Sequence, residues 1–376
     1  MKHTKLKRVV FNLILILPWT ILLLFLAASI FEIKRINEIK HRDIYKAVDS
    51  YLSQKEAAIR SFLIPNDGYP EISKLISLNE SDTNVFLFGG SSVIISDGKL
   101  FYQYLEEELE KNNPSLKILN FAVMGIDSFS AERRLVDVFE AIKIKPDLII
   151  FYMGHNDYTN VYHFTIARFY DSFDFFLKPS YFFSDKKFDY FWFASLKRPI
   201  ILKVLQQLKL INILDENYGS YNELILEYFK KKMEETMGLC LARKIPVILV
   251  TPVGNLRVEP YGDIKIVTDN FKRGLRSSNY EEAIDYLTEA KDGEILTADV
   301  RVKSELNDYL RSINRPHVYI FDLEKKLKNE RFEFGNSDFL DYFHFNDKTH
   351  KLVADYLYEF IMKTGDLRKV IEEKEN

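Results

Sequence analysis

Val85-Phe86-Leu87-Phe88-Gly89-Gly90-Ser91-Ser92 runs four apolar residues into two glycines and two serines. A short apolar run bounded by glycine suits a strand buried on both faces, as in a parallel sheet. The glycines let the backbone turn tightly and leave room for a substrate at the Ser91 hydroxyl. Such a turn could also open a helix that holds phosphate. No P-loop lysine follows and the full G-x-G-x-x-G is missing, which disfavours a nucleotide site.

Strands and helices alternate outward from this stretch. Residues 85–88, 116–121, 147–152, 246–250 and 317–321 read as strands, and 99–111, 131–142, 221–242 and 348–362 as helices. This order predicts an α/β fold with a central parallel sheet covered on both faces, three layers in all. Ligands of such sheets bind beyond the carboxyl ends of the strands. Three more blocks fall there or before the last helix: Asn120 to Gly125, Gly154-His155-Asn156-Asp157, and Asp341-Tyr342-Phe343-His344.

Each block carries chemistry beside a plainer role. Ser91 is a candidate nucleophile, with Ser92 the alternative one register on. His344 is a candidate general base, and Asp341, three residues earlier, can reach its other ring nitrogen and fix the tautomer. Asn156 can donate its amide to a developing oxyanion or close an Asx turn. Gly125 alone reads as a turn glycine. Asp97, Asp127 and Asp157 are expected to be cap or turn residues.

The four blocks in this order resemble the SGNH/GDSL hydrolase superfamily, over about residues 84–360. The resemblance implies a three-layer, flavodoxin-like α/β/α fold. It also implies Ser91, His344 and Asp341 as catalytic residues, with an oxyanion hole formed by the Ser91 and Gly125 N–H groups and the Asn156 amide. The family pattern is Gly-Asp-Ser, and Gly90 stands where the aspartate would be. That aspartate is not the proton acceptor, so no catalytic group is lost. His155 occupies a variable position that could touch substrate, and His350 reads as structural. The implied activity is a serine hydrolase of O-acyl esters, O-acetyl esters of cell-envelope carbohydrate first. An O-acyltransferase with the same residues, or a catalytically silent polysaccharide-binding protein, are the alternatives.

Composition bounds the partners. The chain has 376 residues, a formal net charge of -3 and one cysteine, Cys240. No basic field favours nucleic acid. A disulfide within the chain is impossible, and nothing resembles a metal ligand set, so neither metal nor cofactor is expected. Cys240 falls in a helical pattern as a small buried residue.

Residues 9–31 hold no charged side chain. About 23 residues of helix span roughly 34 Å, enough for a bilayer core. We expect an uncleaved anchor over residues 1–31, with a cleaved signal peptide as its rival. The catalytic domain is then expected on the extracytoplasmic side. Residues 32–80 read as a juxtamembrane helix and linker, and 81–376 as the hydrolase-like domain. Two insertions interrupt it. Residues 158–211 are rich in aromatics, suited to a satellite core, a lid, a sugar or acyl platform, or a membrane-facing surface. Residues 270–315 read as a helical hairpin on the sheet edge, one stretch resembling half of a tetratricopeptide-type repeat.

Overall fold

The computed structural model describes residues 78–123, 125–142, 144–158, 218–260, 265–294 and 301–372. The expected span at 9–31, the juxtamembrane helix and residues 159–211 of the aromatic insertion lie outside these. Among the described residues no helix is long and apolar enough to cross a membrane.

Five parallel strands form the sheet: β1 (Asn84–Gly89), β2 (Lys117–Asn120), β3 (Leu148–Tyr152), β4 (Val247–Val250) and β5 (Val318–Phe321). Their order is β2-β1-β3-β4-β5, so β1 has its sequence neighbour on one side and β3 on the other. This reversal of direction is the switch point where open α/β sheets hold ligands.

Strand alternation builds two apolar layers. On one face Val85, Leu87, Ile150 and Ile248 pack with α1 (Phe101–Glu110), α7 (Leu323–Asn329), α8 (Asp347–Lys363) and α9 (Gly365–Glu372). On the other, Phe86, Phe88, Ile149 and Leu249 pack with α2 (Ser128–Ala141), α3 (Tyr218–Ala242) and α6 (Ser304–Ser312). The three layers expected from the sequence are therefore present. Cys240 is buried in α3 as a free thiol.

Between β4 and β5 the chain forms α4 (Lys265–Arg276), α5 (Tyr280–Asp292) and α6. Asn279 starts α5 by accepting from the Glu281 and Glu282 N–H groups. The α4–α5 pair is the expected hairpin, and α6 packs on α3. The Tyr280 hydroxyl donates to the Phe332 carbonyl (2.9 Å), joining α5 to the segment after α7.

Asn113, after α1, ties the amino end of the sheet together. Its Nδ2 donates to Thr83 Oγ1 (2.9 Å) and to the Ile371 carbonyl in the last helix (2.7 Å).

Phe86 is fully buried, edge-on to Phe121 with centroids 4.9 Å apart. Phe86→Ala is expected to cost about 3–5 kcal/mol, read as a lower urea midpoint with unchanged slope.

Candidate active site

Ser91 opens a 3-10 turn, Ser91–Val93, directly after β1 and is 6% exposed. At the first position of such a turn the N–H has no carbonyl of the turn to bond. Its own carbonyl accepts from Ile94 and Ile95. Ser92 lies in the same turn and is also buried.

The turn after β3 comes up against it. Asn156 Nδ2 donates one proton to the Ile126 carbonyl (3.0 Å), which fixes the amide and leaves its second proton available. A Cβ placed on Gly90 would lie 2.3 Å from that same Nδ2. Gly90 is thus glycine because the Asn156 amide fills the space a side chain would take.

Gly125 has φ +73, a left-handed conformation that favours glycine, although no atom lies within 4 Å of its would-be Cβ. Backbone shape, not crowding, selects glycine here. The expected cap residues all serve helix starts. Asp127 accepts from Ser130 N (2.9 Å), Asp157 from Ser128 N (3.1 Å), and Asp97 from Asp347 N (2.6 Å). Through Asp157 and Asn156 the β3 turn fastens the segment that follows Gly125.

His344 and Asp341 form the pair predicted from spacing, His344 Nδ1 lying 2.5 Å from Asp341 Oδ2. Asp341 Oδ1 accepts from the Phe343 and His344 N–H groups, at 3.0 and 2.9 Å. Burial raises the affinity of Asp341 for a proton. The hydrogen bond and charge of His344, with those two N–H groups, outweigh it and hold the carboxyl below its usual range. An ionised Asp341 makes Nδ1 the protonated nitrogen of His344, leaving the Nε2 lone pair as acceptor. Nε2 is buried and makes no hydrogen bond to Ser91 or any other described residue. Catalytic bonds of this kind often tighten only with substrate in place.

His155 is 3% exposed, stacked on Phe343 with centroids 4.7 Å apart and edge-on to Tyr152 at 6.1 Å. The Phe343 ring in turn lies 4.4 Å from the His344 ring. His155, the candidate substrate contact, is thus packed between Tyr152 and Phe343 next to the His344 ring. His350 is structural, as expected: Nδ1 accepts from Phe101 N (3.2 Å) and Nε2 donates to the Ile95 carbonyl (3.0 Å).

The structure brings Gly90 against Asn156, and the Asn156 turn, through His155 and Phe343, to His344. Sequence reasoning missed Asn255, whose side chain donates to the Asp341 carbonyl (3.1 Å). It follows β4 in Thr251-Pro252-Val253-Gly254-Asn255, a turn-forming run after a buried strand and thus a readable signal. Among the described residues no cluster of His, Cys, Asp and Glu could hold a metal ion.

Burial lowers the His155 pKa from 6.5 to about 3, so the ring is neutral in the folded protein. The unfolded state binds the extra proton between those values, so this residue makes stability fall as pH drops from 6.5 towards about 3. His155→Phe keeps the stack, and its melting temperature should decline less steeply over that window. An identical slope would remove His155 as the cause. Gly90→Ala is expected to push Asn156 aside and lower turnover about 10²-fold.

No family model matches this chain, and no curated protein matches it. Solved structures do. It is similar to a lipase from a goat rumen metagenome (13% identity, 73% of this chain and 96% of that one, TM-score 0.37). It is similar to an acetyl xylan esterase (13% identity, 74% and 99%, TM-score 0.38). A member of the lipolytic protein G-D-S-L family from Veillonella parvula is also similar (13% identity, 74% and 98%, TM-score 0.35).

Proposed function

We propose that this protein is a serine ester hydrolase of the SGNH/GDSL kind that cleaves O-acyl esters. The single observation carrying this reading is the Asp341–His344 pair. It leaves Nε2 as a buried acceptor at the carboxyl edge of a sheet that also presents Ser91 and Asn156.

In the first half-reaction Ser91 Oγ attacks the ester carbonyl carbon while Nε2 takes its proton. Asp341 stays ionised and stabilises the imidazolium. The oxyanion is held by the Ser91 and Gly125 N–H groups and the second amide proton of Asn156. Collapse returns the proton from His344 to the leaving alcohol, giving an acyl-Ser91. Water, activated by His344, then releases the carboxylic acid.

The substrate we propose is an acetylated carbohydrate of the cell envelope, with residues 9–31 anchoring the chain in the membrane. The resemblance of the four blocks to the SGNH/GDSL superfamily, taken with the expected anchor, supports the first point. The charge-free run supports the second.

The test is p-nitrophenyl acetate turnover by the full chain in detergent. Ser91→Ala and His344→Ala should each lower kcat about 10³-fold or more. Asn156→Ala should cost about 10²–10³-fold, mostly in kcat. Ser92→Ala should remain active. If Ser91→Ala matches wild type while Ser92→Ala is inactive, the nucleophile is Ser92. If wild type is inactive, the hydrolase reading fails. Alkaline carbonate should leave the chain in the membrane pellet, and its release would end the anchor reading.

A further inference from the structure

The dyad hangs from a segment outside all four blocks. Asn255 is fully buried in the loop after β4. Its N–H donates to the Tyr342 carbonyl (2.8 Å). Its Nδ2 donates to the Asp341 carbonyl (3.1 Å) and to Asn336 Oδ1 (2.9 Å). The backbone that carries Asp341 towards His344 is thus held by one asparagine.

Asn255 is held in turn by a buried cation. Arg301 Nη1 donates to the Asn255 carbonyl and to the Val258 carbonyl (3.2 Å). Nε and Nη2 pair with both carboxylate oxygens of Glu294, the Nε contact at 3.0 Å. Both side chains are 1% exposed. Lys303 Nζ fastens the same corner by donating to the carbonyls of Lys291 (3.1 Å), Asp292 (2.8 Å) and Glu294 (2.8 Å).

Burying an ion pair costs desolvation that its attraction barely returns, so apolar residues of equal volume would stabilise the corner as well. They could not direct two carbonyls of the β4 loop. The guanidinium fork does so, with Glu294 on one edge and the loop on the other.

We propose that Arg301, oriented by Glu294 and acting through Asn255, is a positioning residue for the His344–Asp341 dyad. This rests on the hydrolase reading and deepens it. The excursion between β4 and β5 then has a task beyond covering the core: it supplies the rigid support that aims the general base. Arg301 touches no reacting atom, so its effect should appear in kcat and leave KM unchanged.

The full chain in detergent is tested as Asn255→Ala, which leaves the ion pair intact, and as Arg301→Lys. Two readouts are taken: p-nitrophenyl acetate kinetics, and the downfield proton resonance of the His344 Nδ1–H···Asp341 bond. We expect kcat to fall about 10- to 100-fold with KM within about twofold of wild type. The resonance should broaden or vanish in the folded variants and persist in Ser91→Ala. A folded Asn255→Ala with kcat within about twofold of wild type, or a loss confined to KM, overturns the proposal. If Arg301→Lys fails to fold, Glu294→Gln, which loosens the hold on the guanidinium, takes its place under the same criteria. A silent wild type overturns the hydrolase reading instead, and an unchanged resonance in Asn255→Ala would then separately overturn the positioning role.

Discussion

Asp347 ties the start of the last long helix to the chain that leaves the Ser91 turn, bringing the two ends of the domain's sequence together. Its Oδ1 accepts from Lys99 N (2.7 Å) and the Tyr104 hydroxyl (2.7 Å), while its own N–H donates to Asp97. His350, one turn on, bonds Ile95 and Phe101. These contacts clamp the start of α8, just past His344, onto the chain that leaves the Ser91 turn. The entropy of closing so long a loop rises only slowly with length. The packing of α8 against α1 meets that cost, and the polar clamp sets the register.

Charge is distributed so that one imidazole can serve as base. Beside the dyad lie two further histidines, and His350 has both nitrogens committed. His155 is kept neutral by burial and stacked on Phe343. Only His344 faces an ionised carboxylate with its other nitrogen unbonded. Phe343 stacks on His155 and lies tilted against His344, limiting rotation of the His344 ring, and the bond to Asp341 fixes its orientation.

Much of this was legible in the sequence because strand periodicity and glycine-bounded ends are local signals. All five strands and the helices expected at 99–111, 131–142, 221–242 and 348–362 fall within a few residues of their predicted bounds. The Asp341–His344 spacing reported a contact within one loop, which a sequence can carry. Short helices α7 and α9 were missed, since seven or eight residues give little periodicity. Nothing in the sequence singles out Glu294, Arg301 and Lys303. Their burial comes from the fold of an excursion, not from local pattern. The Asn156–Gly90 contact joins two loops across neighbouring strands, and nothing local announces it.

The Asn113 knot places residue 83 and the end of α9 together at the amino end of the sheet. The site lies at the opposite end, beyond six residues of β1, or about 20 Å of strand. The chain at residue 78 therefore enters the domain at the pole away from Ser91. A tether attached there would grip the molecule by its base and leave Ser91 at the far end, about 20 Å of strand away.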